Sequence, residues 1–173
     1  MKKHVALTLL AVTTLGVLNA HVDLPEIDGR RFVKVQEKLH DPRGWLEDRA
    51  DSLLARCTQV HALGPALPDA ELALAAIRSF SPPDSHSAQL RQLLAQGDWL
   101  LAEVSFDALS PAVVALRRQA GGMQVVDGAI WSGSTLPWRP APLIRRHLQT
   151  QAPQMPQALL ECFRPEDPLF QAR

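Results

Sequence analysis

The chain has 173 residues, 46% of them hydrophobic, and its 18 lysines and arginines balance 18 aspartates and glutamates. With the two signs well mixed along the chain, this excludes a protein that grips nucleic acid through a clustered basic footprint. Once a leader is set aside, the length suits one domain with one core.

The leader is the first element. Lys2, Lys3 and His4 form a basic head, Val5 to Leu18 is apolar and uncharged, and Ala20 is a small residue suited to the position before a cut. That is the pattern of a secretory signal peptide. A membrane-crossing helix takes about 20 apolar residues; this run is shorter and contains Thr8, Thr13, Thr14 and Gly16. Residues 1–20 are therefore expected to be removed on export to the periplasm or the medium, leaving a mature chain that begins near His21. Losing Lys2 and Lys3 leaves 16 basic against 18 acidic side chains, a net charge of −2. No later apolar run is long enough to span a bilayer, so no transmembrane segment is expected in the mature form.

Residues 21–40 read as a turn-rich, extended lead-in, in which Arg31–Gln36 alternates loosely. Asp41-Pro42 is a helix start, because aspartate caps backbone N–H groups and proline loses nothing at the first helical position. Trp45, Ala50, Leu53, Leu54, Cys57 and His61 then recur at helical spacing, which predicts a helix running to Gly64-Pro65 with Cys57 on its core face. A second helix follows Pro68 through Leu72, Ala73, Ala76, Ile77 and Phe80. A third, from Ser87 to Gln96, turns Leu90, Leu93 and Leu94 inward.

The period then changes to two. Leu100, Ala102, Val104 and Phe106 alternate with Leu101, Glu103 and Ser105, which predicts a strand with Glu103 on its outward side. Ala112–Arg118 makes a second strand, Gly121-Gly122 a hairpin turn, and Met123–Val126 a third strand. Asp127-Gly128 reads as a two-residue turn returning Ala129–Ser132 as a fourth. After Gly133, Ser134–Pro142 is an extended loop, its three prolines within six residues ruling out regular pairing. Helices over 142–149 and 157–163 follow, and residues 166–173 read as a tail.

The expected fold is α+β: N-terminal helices, then an antiparallel β-meander of three to four strands, then one or two C-terminal helices, with 41–165 a single α+β domain. In order of elements it resembles cone-shaped NTF2-like or cystatin-like modules, with no motif in common, and architecture alone implies no function.

Two cysteines in an exported chain are expected to pair, so Cys57 and Cys162 are read as a disulfide. A Cys2His2 metal site with His61 and His147 lacks the ligand spacing such sites need; no metal and no cofactor is expected. The most unusual segment is Trp131-Ser-Gly-Ser-Thr-Leu-Pro-Trp138-Arg139, where two tryptophans flank a hydroxyl-rich loop. The economical reading is that Trp131 fills the mouth of the sheet and Trp138 pins the loop. The functional reading makes Trp131, Ser134, Trp138 and Arg139 a contact for a protein or small-molecule ligand with an apolar face. The expectation is thus a non-enzymatic exported binding protein. The alternatives are a small serine hydrolase using Ser134 and His147, and an accessory subunit of an envelope complex, marked by an apolar surface patch.

Overall fold

The computed structural model describes residues 22–171; the expected signal peptide, residues 1–20, lies outside them. Two compact units divide between Arg43 and Gly44.

The first unit is built of short strands: β1 (Val22–Asp23), β2 (Glu26–Ile27), β3 (Arg30–Arg31), β4 (Val33–Val35) and β5 (Lys38–His40). β4 pairs antiparallel with both β1 and β5, and β2 pairs with β3. Asp28 and Gly29 join β2 to β3 with φ of 49° and 71°. Two successive left-handed residues match the twist of a tight hairpin, and Asp-Gly is the pair that adopts them most readily. Arg30 closes the unit by an ion pair of 3.2 Å to the buried Asp41.

α1 (Pro42–Leu54) starts with the last two residues of the first unit and continues in the second, where it, β6 (His61–Ala62) and α2 (Pro68–Phe80) precede β7 (Gln89–Gln96), β8 (Trp99–Ser105), β9 (Ala112–Gln119) and β10 (Gly122–Ser132); α3 (Pro140–Gln151) and α4 (Gln157–Cys162) follow. The strands form one antiparallel sheet in the order β10-β9-β8-β7-β6. Both faces are covered. Leu100, Ala102, Val104, Val114 and Leu116 pack with Ala70, Ala73 and Ile77 of α2. The alternate residues Leu101, Val113 and Ala115 pack with Ile144 and Leu148 of α3, Leu159 and Leu160 of α4, and Phe163 and Phe170 beyond it. Strands buried on both sides carry apolar residues without strict alternation, as β8 and β9 do.

The expected arrangement is corrected here. Helices and strands are interspersed, the sheet has five strands, and residues 22–40 hold only short strands. The segment expected as a third helix, 87–96, is a four-residue 3₁₀ turn (Asp84–Ser87) followed by β7. A bulge explains the misleading spacing. Leu90 pairs with Val104 and Gln92 with Glu103, so Arg91 is an extra residue that resets the phase of the strand. Leu90 and Leu93 therefore share the α2 face at a separation of three, which mimics a helix.

The Asp127-Gly128 turn is the second correction. β10 runs through it, with Val125 opposite Leu116 and Ile130 opposite Val114. The residues between them bulge out, and Gly128 takes φ of 74° within that bulge. Two of the expected strands are one strand with a kink.

Candidate functional site

β10 delivers the 131–139 loop. Trp131 is half-buried; its indole N–H donates to the Gly133 carbonyl at 3.3 Å, and its ring meets the His147 ring edge-on at 5.4 Å. His147 Nε2 lies 2.9 Å from the Ile130 carbonyl. Ser134 donates its hydroxyl to the Phe170 carbonyl at 3.3 Å. The buried Thr135 gives that same oxygen its N–H at 2.7 Å and its hydroxyl at 3.0 Å. Gln171 Nε2 then donates to Thr135 Oγ1 at 2.7 Å and to the Trp138 carbonyl at 3.0 Å. Trp138 is half-buried, and the exposed Arg139 reaches Asp48 at 3.4 Å. Ser134 and His147 are thus engaged with different backbone carbonyls. The loop's hydroxyls hold the chain's own C-terminal segment, with Thr135 at the centre; no sequence signal separates Thr135 from its neighbours.

Glu103 fastens the same segment from below. Expected on the outward side of its strand, it is fully buried on the α3 and α4 face of β8. Its carboxylate accepts the N–H of Glu166 at 3.0 Å and that of Asp167 at 2.6 Å. Burial pushes its pKa up, the two N–H bonds oppose this, and the neighbouring Asp167 and Glu166 carboxylates add to the rise. Glu103 is sealed from solvent by the segment it holds. Its work is structural.

The third cluster surrounds α1. Arg145 on α3 is buried, with its guanidinium 3.2 Å from Asp48 and 2.9 Å from Asp51, and its Nε donating to the Ala141 carbonyl at 3.0 Å. Burial, then the nearby Arg164 charge, lowers its pKa, while Asp51 and Asp48 hold the charged form. Asp48 also meets Arg164 at 3.7 Å, and Glu47 meets Arg146 at 3.8 Å. A pocket of about 270 Å³ beside this network is lined by Glu47, Asp51, Arg145, Arg146 and Glu161 among others.

All three carboxylates of α1 therefore turn inward, and Gly44 is its one buried residue. The expected core face turns outward instead. Trp45 is 53% exposed, Leu46 61%, Leu53 70% and Leu54 77%. The reason is that the partner of α1 is a set of arginines, which an acidic face satisfies and an apolar face does not. Periodicity showed that α1 has two faces; it does not say which one the rest of the molecule wants. Cys57 lies on the exposed segment after α1, not on a helix, at disulfide distance from Cys162 with a Cα separation of 5.8 Å.

Two further pockets lie on the sheet. One, of about 340 Å³ beside the β10 bulge, is lined by Trp99, Arg117, Gln124, Asp127 and Gln151, with the Arg117 guanidinium 5.4 Å above the Trp99 ring. The other, of about 220 Å³, is apolar and lies among Ile77, Phe80, Phe106, Leu109 and Ile130. Among the described residues, no group of three histidines, cysteines or carboxylates is placed to hold a metal, and no helix is long and apolar enough to cross a membrane.

No protein-family model, curated protein or solved structure matches this chain. The functional reading therefore rests on the geometry of the chain itself.

Proposed function

We propose that the protein is exported after loss of residues 1–20 and acts as a non-enzymatic binding protein of the cell envelope, with the outward face of α1 as its contact. The observation that carries this reading is the inverted helix: its acidic side meets arginines, and Trp45, Leu46, Leu53 and Leu54 are left at the surface. Large exposed apolar patches rimmed by polar residues mark interaction surfaces. The cysteine pair at disulfide distance and the lack of a spanning helix among the described residues are compatible with export. The 131–139 loop enters as the neighbour of this surface, tied to α1 through Arg139 and Asp48. The Ser134 hydroxyl donates to Phe170 and the His147 ring is bonded to Ile130, which favours the binding reading over the hydrolase one.

The test has two readouts. N-terminal sequencing of the protein recovered from cells should begin within a few residues of His21. Capture from the envelope fraction should retrieve bound material with the wild type and lose it with Leu53→Glu/Leu54→Glu. Intact Met1 on cytosolic protein, or identical capture by both forms, would overturn the proposal.

A further inference from the structure

The occupant of the α1 surface can be argued from its charge pattern. Trp45, Leu46, Arg49, Ala50, Leu53 and Leu54 fall at i, i+1, i+4, i+5, i+8 and i+9, one stripe of a helix with about 3.6 residues per turn. Arg49 sits in the middle of that stripe and is exposed, and Arg56, also exposed, lies just beyond its end. The helix's own carboxylates are consumed on the opposite side: Glu47 by Arg146, Asp48 by Arg139, Arg145 and Arg164, and Asp51 by Arg145. The outward face is consequently apolar and positively charged, although the mature chain as a whole is expected to be acidic.

We propose that this face docks on an anionic bilayer surface, α1 lying in the interface plane. This rests on the envelope-binding reading above and names its partner. Three features fit. Leu46 near the start of the stripe and Leu53 and Leu54 at its end enter the acyl boundary, Trp45 suits the headgroup level, and arginines answer lipid phosphates. Arg49 can lay its methylene stem along Leu53 and raise its guanidinium to the phosphates.

A second copy of the chain fits less well. In a two-fold pairing of this stripe, the residues nearest its centre, Arg49 and Ala50, would face their own counterparts, which sets like charges together in an apolar seam. An uncharged protein groove would bury Arg49 unpaired.

Flotation of the exported form with vesicles tests this. Vesicles of phosphatidylcholine mixed with phosphatidylglycerol should carry the protein upward, and vesicles of phosphatidylcholine alone should bind it at least ~10-fold more weakly, the difference shrinking in high salt. Leu53→Glu/Leu54→Glu should lose at least ~10-fold in partitioning, and Arg49→Gln about 5-fold on the mixed vesicles only. The altered side chains are exposed, so both variants should fold; an intact Cys57–Cys162 pair and unchanged circular dichroism check this. Failure of the wild type to float with either vesicle, equal partitioning of wild type and the leucine variant, or self-association removed by that variant would overturn the lipid assignment. If vesicles fail while envelope capture still depends on Leu53 and Leu54, the lipid falls and the binding reading stands; if neither depends on them, both fall.

Discussion

Asp48→Asn is the sharpest probe of how α1 is held. The substitution keeps the shape of the side chain and removes the charge that meets Arg139 at 3.4 Å, Arg145 at 3.2 Å and Arg164 at 3.7 Å. Arg145 is the partner that counts. Its side chain is 8% exposed and that of Asp48 22%, so solvent screens their pair little. A hydrogen bond to a charged group in such a place contributes roughly 1.5–3 kcal/mol. The more exposed Arg139 and the longer Arg164 contact add at most about 1 kcal/mol together. Orphaning a buried charge can cost about 3–5 kcal/mol, but Asp51 remains 2.9 Å from Arg145 and limits the loss. The expected destabilisation is about 2–3 kcal/mol, a fall of roughly 1 M in the urea midpoint for a domain of this size. Combining the change with Arg145→Met should return about 1.5 kcal/mol of coupling. Because α1 buries only Gly44, the loss should also surface locally, as faster hydrogen exchange of the amides over 46–54. A change under about 0.5 kcal/mol with α1 exchange unaltered would refute the claim that ion pairs carry this helix.

Cys57→Ala opens a link between residues 105 apart, for which chain entropy predicts a loss of about 4–5 kcal/mol by urea denaturation. Two alkylated thiols in unreduced exported protein would contradict the pairing. Glu103 binds its proton more tightly in the folded state than its ordinary value of 4.5 implies. Its contribution is thus fully present below about pH 4.5 and lost as pH rises through the elevated folded value. Glu103→Gln should flatten that dependence in a pH series of urea midpoints, gaining on the wild type as pH rises; parallel curves would refute the burial argument. Gly128→Ala, at φ of 74° and with its Cβ 3.1 Å from Gln151 Oε1, should cost about 1 kcal/mol in the same assay.

What could be read from residues alone divides along one physical line. Local signals located turns, breaks and apolar runs: the helix expected after Pro68 starts at Pro68 itself, with Leu67 rather than Asp69 before it, and Leu100 to Ser105 is a strand. Phase and facing were not legible. A bulge at Arg91 gave β7 the spacing of a helix, and a glycine bulge at 128 passed for a hairpin, because both depend on what the partner strand supplies. Glu103 looked solvated since alternation placed it opposite Leu100 and Ala102, while the far face of the sheet is equally dry. The inversion of α1 was hidden for the same reason. Its acidic side is the inner one because Arg139, Arg145 and Arg164, about 100 residues later, come to meet it.

The most direct measurement is photo-crosslinking in living cells from a benzophenone side chain placed at Leu53, compared with one at Gln124 on the exposed side of β10. The outward face of α1 is a contact surface if position 53 yields adducts, to lipid or to protein, and position 124 does not. A position 53 that stays unreacted while the protein is correctly exported and folded would contradict the account.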